Sequence, residues 1–308
     1  MLSLISIDDV TKEDLQFIID QSITIYNGDN LYPGLSNMAS HIFAILFFEP
    51  STRTKMSFES IIYRHNGKVL NYDHNSSSSL KGESFQDTIK TIDKYCDMFI
   101  IRHSDSFIFD NIQSLTNKPV INAGNGAYEH PTQAIIDATT IVNHFNVWNV
   151  NTNAPQILLV GDLSKSRTIN SLIKCLHKLF PEIIFYLFFS SNKTDYMTWS
   201  NELHSYIIEK NITILPIHSY QEVIHHVDVV YITRPQTERH NIEYDDGLTI
   251  TPQIIDQMKE TAIVMHPLPR NKELPTSCDS NHRCQYFKQV EFSLPVRRVI
   301  IEYLMGYI

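Results

Sequence analysis

The chain has 308 residues, 43% of them hydrophobic and 19% charged, with a formal net charge of -9. That length suffices for two domains of ordinary size. The acidic balance excludes a general nucleic-acid binder, since no basic surplus exists to neutralise phosphates. No apolar run approaches the roughly 20 residues that span a bilayer. The first residues carry Asp8, Asp9, Glu13 and Asp14 and no basic segment, unlike a signal peptide. The four cysteines, Cys96, Cys175, Cys278 and Cys284, are scattered, which fits a reducing, cytoplasmic setting better than a disulfide framework. Cys278, His282 and Cys284 lie close together, but no second ligand pair follows at zinc spacing, so no metal is expected there.

Asp8 or Thr11 can cap a first helix with Leu15, Ile18 and Ile19 on its inner face. His41 to Phe48 is a continuous apolar run that predicts a buried strand. Phe58, Ile61, Ile62 and His65 then recur at helical spacing, and Asn66-Gly67 supplies a stop. Ser51-Thr52-Arg53-Thr54 therefore sits where a strand ends and a helix begins. The first N–H groups of a helix lack internal partners and favour an anion. Arg53 adds a planar charged fork suited to phosphate oxygens. The alternative at this point is a plain Ser/Thr cap beside a solvated arginine.

Lys68 to Tyr72 predicts a short strand, and Asn75 to Gly82 a small, polar, mobile loop. Phe85 to Tyr95 has helical character, and Met98 to Ile101 predicts a strand ending at Arg102-His103. Val120-Ile121-Asn122 leads through Ala-Gly-Asn-Gly to His130, and Pro131 suits a first helical position. Ala134, Ala138, Ile141, Val142 and Phe145 form an apolar stripe on that helix. Asn146 to Pro155 is polar and rich in asparagine, a plausible domain connection.

Further on, Ile157 to Val160 predicts a strand ending in Gly161-Asp162, Ile183 to Phe189 and Ile212 to Leu215 predict buried strands, and Arg167 opens a helix after the first of them. Val227 to Thr233 runs into Arg234-Pro235-Gln236, Ile263-Val264-Met265 runs into His266-Pro267-Leu268-Pro269-Arg270, and Val296 to Met305 closes the chain as an amphipathic helix. The alternation predicts an α/β fold of two domains, each a parallel sheet flanked by helices. Arg53, Arg102, Arg167 and Arg234 all fall at strand ends, where open α/β sheets bind ligands. An acidic chain with four arginines so placed predicts an anionic ligand.

These residues carry a resemblance to the aspartate/ornithine transcarbamoylase family, on its aspartate-using side. It rests on Phe-Phe-Glu-Pro-Ser-Thr-Arg-Thr (47–54), Lys-Gly-Glu-Ser (81–84), Ile-Arg-His (101–103) and Asn-Ala-Gly-Asn-Gly (122–126). His-Pro-Thr-Gln-Ala (130–134), Val-Gly-Asp-Leu (160–163) with Arg167-Thr168, Tyr-Ile-Thr-Arg-Pro-Gln (231–236) and His-Pro-Leu-Pro-Arg (266–270) continue the set in order. The resemblance implies attack by the α-amino group of L-aspartate on carbamoyl phosphate, giving N-carbamoyl-L-aspartate and phosphate, a pyrimidine precursor step. It implies no metal and no organic cofactor.

It further implies a carbamoyl-phosphate domain (residues 1–133 plus 290–308) and an aspartate domain (residues 134–289), joined by interdomain helices. By the same resemblance Ser51, Thr52, Arg53 and Thr54 hold the phosphate. Thr54, Arg102 and His130 reach the carbamoyl oxygen, and Gln133 orients the carbamoyl nitrogen. The backbone of Pro267 and Leu268 contacts the carbamoyl or amino group, and Arg167, Arg234 and Gln236 bind the aspartate carboxylates. His130 could be read as a general base. An oxyanion donor is preferred, because a helix start beside it opposes positive charge. His266 reads as structural, and the His225-His226 pair as surface residues.

In the family, the loop equivalent to the serine-rich stretch enters the neighbouring subunit's site. That implies a homotrimer with shared sites, with Lys81 supplying the lysine and Ser77, or Ser78, the serine. Regulatory chains are left open. Two features depart from the family: Val290-Glu291-Phe292-Ser293 follows Tyr286-Phe287-Lys288-Gln289 where relatives carry Asn-Gly, and Pro235 should stiffen its loop. A different acceptor such as ornithine, and a non-catalytic homologue, are the competing readings. Pro267 stands where ornithine-using relatives carry cysteine, and an ornithine side chain would need a carboxylate where this chain offers Arg234 and Gln236.

Overall fold

The computed structural model describes residues 3–28, 38–73, 78–161, 166–188, 200–234 and 246–308. Two compact units divide the chain: Met1–Thr139 with Glu291–Ile308, and Thr140–Val290. The first holds four parallel strands, β1 (Ile42–Phe47), β2 (Lys68–Asp73), β3 (Met98–His103) and β4 (Val120–Asn125), in the order β2-β1-β3-β4. Helix α1 (Lys12–Asn27) starts at Thr11, whose hydroxyl accepts from the Asp14 N–H at 3.1 Å. Helix α2 (Arg53–Arg64) ends at His65-Asn66-Gly67, with the positive φ of 58° taken by Asn66 rather than the glycine. Ser84 caps α3 (Phe85–Ile92) by accepting from the Asp87 N–H. The inward residues of β1 and β3, Ala44, Leu46, Phe99 and Ile101, pack with Ile89, Phe109 and Ile112 in one core. Such strands are apolar throughout because both sheet faces are covered.

The second unit holds β5 (Gln156–Val160), β6 (Ile184–Phe188), β7 (Thr213–Ile217), β8 (Val229–Ile232) and β9 (Ile263–Met265), all parallel, in the order β7-β6-β5-β8-β9. Its helices among the described residues are α5 (Arg167–Leu179), α6 (Asn201–Glu209), α7 (Pro252–Ile255) and α8 (Tyr286–Glu291). Leu158, Val160, Val230, Ile232 and Val264 meet Tyr220, Ile224, Leu248, Ile255 and Leu274 in its core. No helix among the described residues is long and apolar enough to cross a membrane.

Three local expectations change. The helix after His130, α4 (Pro131–Trp148), is buried all round through Phe145 rather than along one stripe. Its polar residues Thr132, Asp137, Thr139 and Asn143 are as buried as its alanines, so an apolar stripe underestimates it. The same helix runs into the asparagine-rich stretch as far as Trp148, and the units divide earlier, between Thr139 and Thr140. Strand β7 is an edge strand with Thr213, Leu215 and Pro216 exposed, not a buried one. An edge position leaves a strand's apolar residues without a second neighbour.

The last helix, α9 (Ser293–Leu304), packs on α1 and α2. Its Arg297 is 2% exposed, with the guanidinium carbon 4.8 Å from the Phe58 ring centre. Burial pushes the Arg297 pKa down to about 9, and the negative charge of Asp137 opposes that shift. His65, just past the end of α2, is 1% exposed, and burial followed by the Arg298 charge lowers its pKa to about 4. A helix C-terminus favours a charged histidine, so desolvation wins here. Unfolded, the imidazole returns to its ordinary value of 6.5. Between those two values the unfolded chain binds the extra proton, so stability falls as pH drops below 6.5 and levels off below 4. In urea titrations, wild type should lose about 3 kcal/mol more than His65→Gln between pH 7 and pH 4. Parallel losses in the two proteins would overturn this account.

Candidate active site

In the first sheet the strand order reverses direction between β1 and β3, the switch point at which open α/β sheets leave a ligand crevice. The residues following β1 and ending β3 flank that point. Ser51 and Thr52 precede α2, and Arg53 begins it. The Thr52 side chain makes no capping hydrogen bond, so the plain cap considered for this stretch is not what the hydroxyl does. No acidic side chain occupies the first turn, and Thr52 and Arg53 are exposed. The surrounding protein nevertheless removes part of the arginine's water shell, and this desolvation lowers the Arg53 pKa. These are the conditions under which a helix start attracts an anion.

Arg102 is the penultimate residue of β3 rather than a residue beyond its end. It pairs in register with Phe47, and its carbonyl accepts from the Phe48 N–H at 2.9 Å. Its side chain is 8% exposed. Nη2 lies 2.7 Å from Glu49 Oε1, and Nη1 donates to the Ala123 carbonyl at 3.2 Å. Glu49, inside the quoted Phe-Phe-Glu-Pro-Ser run, is a partner that the sequence reading did not single out.

After β4 the chain must turn sharply to reach His130. Gly126 has φ 52°, and a Cβ there would collide with Ser104 and Ser106. Asn122 donates to the Ile5 carbonyl at 2.8 Å and to Asn125 Oδ1 at 2.9 Å. Glu129, 1% exposed, accepts from the Ser6 hydroxyl at 2.6 Å and the Ile7 N–H at 2.9 Å. The loop is thereby pinned to the N-terminal segment. His130, 4% exposed, then meets the start of α4 with Nε2 3.4 Å from Thr54 Oγ1 and Nδ1 3.5 Å from Thr132 Oγ1. Gln133, one turn on, donates to the buried Asp137 at 2.7 Å. Thr54, Arg102, His130 and Gln133 are thus held by one unit. Lys81 is exposed at the end of a short 3-10 turn, Ser78–Lys81. Ser77 lies outside the described residues.

The second sheet repeats the plan. Its order reverses between β5 and β8. Arg167 opens α5 after β5, and Arg234 follows β8. Gly161, φ 114°, follows β5 where a Cβ would strike the Thr233 carbonyl, so glycine lets the two strand ends approach. Gln236 and Pro235 lie outside the described residues. Pro267 and Leu268 follow β9 and are half-buried. His266 is 1% exposed and hydrogen-bonds Glu273 at 3.0 Å, in keeping with a structural role. Where Val290 replaces the expected turn, α8 simply runs to Glu291 and α9 begins at Ser293.

A family model described as "Aspartate/ornithine carbamoyltransferase, carbamoyl-P binding domain" matches residues 3–143. The "Asp/Orn binding domain" model of the same family matches residues 154–304. An aspartate carbamoyltransferase catalytic subunit from Picrophilus torridus is 36% identical over 312 residues, covering 99% of this chain and 98% of that one. The aspartate transcarbamoylase of Trypanosoma cruzi in complex with carbamoyl phosphate and aspartate superposes with a TM-score of 0.82 at 33% identity, over 97% of this chain and 95% of that one. Its complex with carbamoyl aspartate and phosphate gives a TM-score of 0.85 at 33% identity, over 97% and 94%. With both halves matched in order and each switch point bearing its arginines, the chain belongs to the aspartate/ornithine carbamoyltransferase family.

Proposed function

We propose that the chain transfers the carbamoyl group of carbamoyl phosphate to the α-amino group of L-aspartate, yielding N-carbamoyl-L-aspartate and phosphate for pyrimidine biosynthesis. One observation carries the reading: two parallel sheets each bring arginines to their own switch point, a helix start with hydroxyls in one and an arginine pair in the other. The relatives from Trypanosoma cruzi with substrates and with products bound support it.

In this reading residues 1–133 with 290–308 take carbamoyl phosphate, and residues 134–289 take aspartate. The start of α2 and the side chains of Ser51, Thr52, Arg53 and Thr54 hold the phosphate. Arg102, His130 and Thr54 surround the carbamoyl oxygen. As the amine attacks the carbonyl carbon, negative charge gathers on that oxygen, and fixed donors stabilise it without reorganising. Gln133, with its amide already oriented by Asp137, aligns the carbamoyl nitrogen. Phosphate departs with the electron pair of the broken C–O bond and takes up the proton that the amine loses, its charge met by Arg53. Arg167, Arg234 and Gln236 take the aspartate carboxylates. Positioning and electrostatics supply the catalysis.

Turnover assays with aspartate and with ornithine test the reading, and ornithine turnover or no turnover with either would overturn it. Arg234→Ala should weaken aspartate by about 2–5 kcal/mol, the cost of losing a desolvated charge pair, with carbamoyl phosphate little affected. Equal weakening of both substrates would remove Arg234 from the aspartate site.

The assembly completing the site is a cytoplasmic homotrimer in which Ser77 and Lys81 serve the neighbouring subunit. The exposure of Lys81, which leaves its ammonium available to a neighbouring subunit, supports this. Arg53→Ala and Lys81→Ala trimers should each be nearly inactive. Random equal mixing gives mixed rings about three times in four, each with one whole site in three, so about one quarter of wild-type activity should return. Hybrid rings verified by native mass spectrometry yet inactive would place both residues in one subunit's site.

A further inference from the structure

The loop after β9 has an unusual shape and an unusual support. Leu268 has a φ of 55°, a left-handed conformation that side chains other than glycine, asparagine and aspartate seldom adopt. Such a conformation persists only where its surroundings over-determine it. Here the support is His266. Its Nδ1 accepts from the Leu268 N–H at 2.8 Å, and its Nε2 lies 3.0 Å from Glu273 Oε1. A backbone N–H can only donate, so Nδ1 carries no proton. The proton is therefore on Nε2 and is donated to the carboxylate. The His266 N–H in turn donates to Gln289 Oε1 at 3.1 Å.

Glu273 is equally constrained. It is fully buried, and Oε1 also accepts from the Asn271 N–H at 2.8 Å. Its own carbonyl accepts from the Ile250 N–H at 2.9 Å. Burial pushes the Glu273 carboxyl up, but the hydrogen bonds from His266 and the backbone outweigh it and hold the carboxyl below its usual range. Oε2 is buried with no hydrogen-bond partner among the described residues. A buried carboxylate engaged through one oxygen is a costly way to hold a loop, and an apolar filling would serve stability better. The arrangement makes sense if the shape of the loop matters in its own right.

We infer that His266 and Glu273 are positioning residues: the imidazole, locked with its proton on Nε2, clamps the Leu268 N–H and so aims the main-chain carbonyls of Pro267 and Leu268 at the reacting nitrogen atoms. The inference rests on the proposed contact between those backbone groups and the carbamoyl or amino group. The carbonyls then distinguish an N–H-bearing acceptor aligned for attack from one bound out of line. The clamp acts on the chemical step more than on substrate capture, which Arg53, Arg167 and Arg234 perform.

Two substitutions separate the imidazole's two contacts. His266→Asn keeps an acceptor where Nδ1 stands and loses the donor to Glu273. His266→Gln keeps a donor near Nε2 and loses the acceptor. His266→Gln should lower kcat by about 100-fold, the scale of a 1 Å misplacement, with KM for aspartate changed less than about threefold on the same ground. His266→Asn should recover most of kcat even though it breaks the hydrogen bond to Glu273, and Glu273→Gln should fall between them. A purely structural histidine would give losses that follow thermal stability, with the two His266 variants alike; that outcome, or an unimpaired His266→Gln, would overturn the inference. Crystal structures of wild type and His266→Gln give a readout independent of turnover, with Leu268 expected to leave the left-handed region in the variant. An inactive wild type with that displacement would sink the proposed reaction and leave the clamp standing. An unmoved Leu268 would sink the clamp.

Discussion

When every strand of a sheet runs the same way, every chain segment leaves by the same edge. That constraint organises both units of this protein. Parallel pairing requires a crossover between neighbouring strands, so each strand end is followed by a turn into a loop or helix. Where the order reverses, between β1 and β3 and again between β5 and β8, two such turns diverge and leave a gap. A short motif after a strand thus becomes a site only through the strand beside it. Arg53 would be an isolated surface cation if β1 were not next to the strand that delivers Arg102.

The cations at these edges are held in different ways. Arg53 is exposed and sits on a helix start that carries no acidic side chain in its first turn. Arg102 is buried and fixed by Glu49 and the Ala123 carbonyl. An exposed arginine can move to meet a phosphate, whereas a buried, doubly held one presents a fixed charge. Burying such a charge is tolerable only with partners, which explains why a glutamate stands two residues before the hydroxyl run. Arg297 shows the opposite case, a buried guanidinium packed over Phe58, with the Asp137 charge offsetting part of its desolvation.

The histidines show the same division of labour. His130 is placed by a loop whose conformation is held by Asn122, Asn125 and Glu129, and its ring reaches Thr54 across the sheet edge. His266 engages both ring nitrogens on its own loop, Nε2 with Glu273 and Nδ1 with the Leu268 N–H. Both follow strands and both precede proline, so their local sequences are nearly alike. Their different partners come from whether the next proline opens a helix, as Pro131 does, or extends an irregular loop, as Pro267 does.

The amino-acid sequence by itself determined the α/β class, the parallel sheets and the strand-end placement of Arg53, His130, Arg167, Arg234 and His266. It could do so because apolar runs, helix caps and glycine stops act over a few residues and are written side by side. Tertiary structure alone decided the strand order, and hence which strand ends face each other. It also decided that β7 is an edge, that α4 is buried beyond its apolar stripe as far as Phe145 and that the units divide within it. The partnerships of Glu49 with Arg102, Glu129 with Ser6 and Ile7, and Glu273 with His266 belong to the same class. A buried carboxylate has no sequence signature of its own, because the same residue on the surface would look identical; only the packing around it fixes its partner and its proton.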